Sequence, residues 1–107
     1  MVIDDEVLIV RSLTRLLRQH EVVGVHCGRD ALALLEEDDR FDGILCDVKM
    51  PDTNGAELAV LIAQRWTHLA SRICMCSGSS GQLADFPRLE KPFTRDALEA
   101  QVRLWEE

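Results

Sequence analysis

Basic residues are scarce in this chain. Two lysines, Lys49 and Lys91, and ten arginines stand against nineteen acids, for a formal net charge of −7. A nucleic-acid backbone needs a basic face, so this balance argues against nucleic-acid binding. It fits metal binding, or docking to a basic or mixed protein surface. No apolar stretch approaches a membrane span, and Met1-Val2-Ile3 leads straight into acids without the basic start of a signal peptide. The expected location is the cytoplasm, with no membrane contact. No G-x-x-x-x-G-K-[ST] loop is present, which speaks against a nucleotide hydrolase.

Zinc-ligand spacing is also missing. Cys74-x-Cys76 on a strand points both thiols to one face, and no histidine stands at the right interval. Cys27, Cys46, Cys74 and Cys76 therefore read as small buried apolar residues. Cys46 and Cys76 each precede a candidate site residue and are expected at one level of adjacent strands. A disulfide there would be unusual in a reducing compartment. With no linker, repeat or low-complexity tract, residues 1–107 read as one domain.

What the sequence does have is an alternation of strand and helix patterns. Met1–Ile3 reads as a strand and Glu6–Gln19 as a helix with Ile9, Leu13, Leu16 and Leu17 inward. A strand at Val22–His26 precedes a helix over Asp30–Asp38 that carries Ala31, Leu32, Leu34 and Leu35. Next come a strand at Ile44–Cys46, a turn at Asp52–Gly55 and a helix over Ala56–Trp66. Arg72–Cys76 is a strand; Gly78–Pro87 carries only a weak helical signal near Gln82–Asp85. Arg88–Glu90 is a short strand, and Thr94 caps a last helix with Ala97, Leu98, Val102 and Trp105 inward. Five strands with intervening helices imply a parallel sheet covered on both faces. Trp66 and Trp105 read as packing residues; exposed, they would mark a homodimer face.

Polar residues gather at the ends of the apolar runs: Asp4-Asp5, Asp47, Ser77 and Lys91-Pro92. The carboxyl ends of parallel strands form the ligand crevice of open α/β sheets. Three carboxylates, a hydroxyl and an ammonium in one crevice suit a divalent cation and a phosphoryl group. Taken singly, Asp4 and Asp5 could cap the first helix, Ser77 could be a turn residue, and Lys91 a solvated lysine. Capping does not explain Asp47 on a separate strand. As a carboxylate, Asp47 can attack phosphorus and form an acyl phosphate. Ser77 could donate a hydrogen bond to one phosphoryl oxygen, and Lys91 could supply charge to another.

The motifs Ile3-Asp4-Asp5-Glu6, Leu45-Cys46-Asp47-Val48-Lys49-Met50-Pro51 with Gly55, Cys76-Ser77-Gly78 and Glu90-Lys91-Pro92-Phe93 occur in order. Together they resemble the receiver domain of two-component response regulators, nearly end to end. The resemblance implies a flavodoxin-like three-layer α/β sandwich with strand order 2-1-3-4-5. It implies that Asp47 is the phosphoacceptor, and that Asp5, Asp47 and the Lys49 backbone carbonyl ligate Mg²⁺ or Mn²⁺, with Asp4 acting through water. Ser77 matches the switch hydroxyl and Lys91 the phosphoryl-pairing lysine. The implied partner is a histidine kinase or histidine phosphotransfer protein. The implied activity is the chain's own phosphorylation and dephosphorylation.

The chain departs from the family in three places. The opening strand is short, and the Ser77–Lys91 interval is shorter than usual by roughly two turns of helix, so the fourth helix should be short or missing. Arg88 stands where an aromatic is usual, with Phe86 two residues earlier. These departures motivate an alternative, a pseudo-receiver that binds partners without being phosphorylated. A haloacid-dehalogenase type of phosphatase wants a second carboxylate two residues after the nucleophile, and Lys49 stands there instead. The sequence gives His20, His26 and His68 no catalytic role.

Overall fold

The structure is a computed structural model that describes residues 1–50, 53–77, 86–90 and 94–106, with the main chain alone at Ser77. In chain order the elements are β1 (Val2–Ile3), α1 (Val7–Leu16), β2 (Gly24–Val25), α2 (Gly28–Glu37), β3 (Ile44–Asp47), β4 (Lys49–Met50) and β5 (Thr53–Asn54). Then follow α3 (Gly55–Arg65), a 3-10 helix (Thr67–Arg72), β6 (Ile73–Ser77), β7 (Arg88–Glu90) and α4 (Arg95–Glu106). The main sheet runs β2-β1-β3-β6-β7, and every pair in it is parallel. With the small β4–β5 ribbon set aside, this is the expected 2-1-3-4-5 order.

Strand periodicity divides the core into two layers. Ile3, Ile44, Cys46, Ile73 and Met75 face one way and pack with Ala31 and Leu35 of α2 and Leu58, Ala59 and Ile62 of α3. Val2, Leu45, Cys74 and Cys76 face the other way, against Val10 and Leu13 of α1, Leu17, and Leu98 of α4. Helices thus cover both faces of the sheet, which explains why its central strands read as continuous apolar runs.

Several expectations change in detail. Strand β2 is two residues long rather than five, because an edge strand extends only as far as its partner's ladder and β1 offers Val2 and Ile3. Helix α2 begins at Gly28 rather than Asp30, and α1 ends at Leu16, with the Leu17 N–H closing on the Leu13 carbonyl. Of the expected turn at Asp52–Gly55, Asp52 lies outside the described residues, Thr53 and Asn54 pair antiparallel with Met50 and Lys49, and α3 starts at Gly55. Cys46 and Cys76 are not level: Cys46 lies opposite Met75, and Cys76 opposite Asp47. That one-residue offset sends the two thiols to opposite faces of the sheet. Trp66 and Trp105 are half-buried against the two core layers, as packing residues are. The expected fourth-helix signal at 82–85 and the Lys91-Pro92 turn lie outside the described residues.

Candidate functional site

Connections from β1 leave toward β2 on one side, while β3 lies on its other side, so the chain reverses direction across the sheet between β1 and β3. This is where α/β sheets open a crevice at the carboxyl ends of their strands. Ile3 pairs with Cys46, so the next residues, Asp4 and Asp47, leave adjacent strands side by side. Oxygens of Asp4, Asp5 and Asp47 all lie within 4.8 Å of one another. Asp4 is 2% exposed and Asp47 7%, while Asp5 is half-buried.

Asp4 is tied on several sides. Its N–H donates to the Val25 carbonyl at 3.1 Å, continuing the β1–β2 ladder. Its Oδ1 accepts the Glu6 N–H at 2.9 Å, a short side-chain-to-backbone turn. The Asp4 carbonyl lies 3.0 Å from His26 Nδ1. The helix-capping alternative is met only in part. Glu6 is the N-cap of α1 and makes no side-chain cap, and Asp4 bonds the N–H of that cap residue rather than one in the first turn.

Asp47 is shaped by the chain that follows it. The Val48 N–H reaches the Cys76 carbonyl at 3.2 Å, and the Gly55 N–H reaches the Val48 carbonyl at 2.8 Å. Gly55 comes so close that a Cβ there would run into the Asp47 carbonyl oxygen. Between them, Lys49 pairs with Asn54, leaving the Lys49 side chain exposed two residues past Asp47. The Asn54 side chain accepts the Ala56 and Glu57 N–H groups at 2.9 and 3.2 Å, which starts α3. The loop after Asp47 is therefore closed at both ends.

Three acids stand close together here, two of them nearly shut off from water. Carboxylate oxygens are hard donors, so the three acids fit Mg²⁺ or Mn²⁺. Cys46 is not a competing nucleophile. Burial first, then the charges of Asp47 and Asp4, push its thiol up to about 12. Its Sγ donates toward the Asp47 carbonyl at 3.5 Å.

The main chain of Ser77 closes β6 opposite Glu90 of β7. Lys91 follows Glu90 and lies outside the described residues. Arg88 is exposed and pairs with Glu90 at 3.0 Å, while Phe86 packs partly against the core layer that includes Met75. His26 is the residue that reading along the chain passes over. It lies 22 positions from Asp4, and only the β1–β2 pairing brings them together. Its position at the end of the expected strand Val22–His26, next to β1, was the available signal.

The family model for the response regulator receiver domain matches residues 1–103. No curated protein sequence matches the chain. Its fold is similar to the Vibrio cholerae chemotaxis protein CheY4, with TM-score 0.84 and 24% identity over 96% of this chain and 93% of that one. A response regulator receiver domain protein from Clostridium thermocellum gives TM-score 0.84 and 25% identity over 97% and 90%. The BeF3-activated DrrB receiver domain gives 0.82 and 22% over 98% and 93%.

Proposed function

The chain belongs to the response regulator receiver family, and from that premise we propose that Asp47 accepts a phosphoryl group from a phosphohistidine. The observation that carries this reading is the convergence of Asp4, Asp5 and Asp47 within 4.8 Å at the reversal point of the sheet. The donor is a histidine kinase or a histidine phosphotransfer protein.

In the transfer, an Asp47 carboxylate oxygen attacks phosphorus as the phosphorus–nitrogen bond of the donor breaks. The bonding pair returns to the imidazole, and Asp47 is left as an acyl phosphate. Such a transition state is loose, so the protein's task is chiefly positioning and charge. The closed loop from Val48 to Gly55 fixes where Asp47 stands, and the Glu6 N–H holds the Asp4 carboxylate in place. Asp5, Asp47 and the Lys49 carbonyl would hold Mg²⁺ or Mn²⁺, with Asp4 acting through water, and the ion would supply positive charge toward the phosphoryl oxygens. Ser77 donates to one of those oxygens and Lys91 sets a compact charge beside another; both roles rest on the sequence motifs. Water attack on phosphorus then releases inorganic phosphate and returns the Asp47 carboxylate, which completes the dephosphorylation.

Among the described residues no helix is long and apolar enough to cross a membrane. Four free cysteines accord with a reducing compartment, and we place the domain in the cytoplasm. Treatment with phosphoramidate should add one phosphoryl group by intact mass, with Mg²⁺ required. Asp47→Asn should gain none. Labelling of that variant at the wild-type rate would remove Asp47 from its role, and an unlabelled wild type would make the chain a pseudo-receiver.

A further inference from the structure

We propose that His26 is a positioning residue for the acidic cluster, holding the Asp4 main chain so that the Asp4 and Asp5 carboxylates converge on Asp47. This rests on reading the cluster as a cation and phosphoryl site. His26 Nδ1 lies 3.0 Å from the Asp4 carbonyl oxygen. A carbonyl can only accept, so Nδ1 carries the hydrogen and donates it.

The bond falls at the one point where β1 stops being a strand. Ile3 pairs with both neighbours, and the Asp4 N–H still reaches Val25. Beyond that, the chain must turn from the sheet into α1 while presenting two successive acids to a third on β3. The turn is held from the α1 side by the Glu6 N–H on Asp4 Oδ1. It is held from the β2 side by His26 on the Asp4 carbonyl. Glu6, the N-cap of α1, makes no side-chain cap, so the hold from the α1 side is the Asp4 carboxylate's own and the hold from the β2 side is the His26 ring.

The carbonyl that His26 holds belongs to the peptide joining Asp4 to Asp5. Rotation of that peptide would swing the Asp5 carboxylate relative to the buried Asp47. Groups that orient ligating carboxylates in this way tune metal affinity without touching the metal. The His26 side chain lies mostly outside the core layers, so truncating it removes the bond with little loss of buried packing.

The test is Mn²⁺ binding, followed by the loss of free-ion signal in electron paramagnetic resonance, with thermal melting of the apo proteins alongside. His26→Ala should bind Mn²⁺ roughly tenfold more weakly at an unchanged melting temperature. His26→Asn, whose amide nitrogen can stand where Nδ1 does, should recover most of the affinity. Wild-type affinity in His26→Ala, or equal weakening in both variants, would overturn the proposal. If His26→Ala melts early, recovery of both melting temperature and affinity in His26→Asn supports it, and recovery of melting temperature alone overturns it. A wild-type chain that binds no Mn²⁺ would sink the cation-site reading itself, and the positioning role with it.

Discussion

Asp4 and Asp47 keep 2% and 7% of their surface exposed, a degree of burial rare for carboxylates. Their neighbour Cys46 registers that environment. Its thiol is pushed to about 12 by burial and by the two acids, and Cys74 is raised to about 12 chiefly by burial. Both values lie above the ordinary 9.0, so the neutral thiols favour the folded state fully below pH 9. That contribution is lost as pH rises from 9 toward 12. Iodoacetamide at pH 8.5 should therefore alkylate the partly exposed Cys27 and leave Cys46 and Cys74 intact until the protein unfolds. Equal rates at all three would contradict their burial. At this scale the acids were legible in the sequence because each follows an apolar run. His26 was not, since its partner is set by strand pairing and not by spacing.

Helix α3 shows how local chemistry places a functional loop. Asn54 caps it with two backbone bonds, and Gly55 then lets the helix start against the Asp47 carbonyl. Asn54→Ala should cost about 1 kcal/mol, read as a lower urea midpoint at unchanged slope. A midpoint equal to wild type would mean that the cap contributes nothing. Thr94 plays a similar part at α4, accepting the Ala97 N–H at 3.1 Å, as its position ahead of an apolar-periodic run implied. Element ends were less legible where partners set them. The length of β2 is limited by β1, and the β4–β5 ribbon forms because Lys49 and Asn54 meet across a loop that reads in sequence only as turn residues.

Two apolar layers, one under α2 and α3 and the other under α1 and α4, hold the whole molecule together around a sheet whose strands β1, β3 and β6 contribute buried residues. Leu98, with no exposed surface, is the α4 contribution to the second layer. Leu98→Ala should destabilise by about 2–5 kcal/mol, measured by denaturant unfolding, and a loss below 1 kcal/mol would mean that α4 is not integral to the fold. Both covered faces were legible from the alternation of patterns, because parallel strands need crossovers and the crossovers must cover the sheet; the strand order came only with the family resemblance. The offset between Cys46 and Cys76 was not, since register is a property of pairing.

The central proposal, that Asp47 accepts a phosphoryl group, can be tested directly because an acyl phosphate can be trapped chemically. Borohydride reduces an acyl phosphate to an alcohol, so peptide mapping after phosphoramidate, Mg²⁺ and borohydride should find homoserine at position 47 and nowhere else. Homoserine at position 4 or 5, or unreduced aspartate at all three positions in protein that has gained the phosphoryl mass, would contradict it.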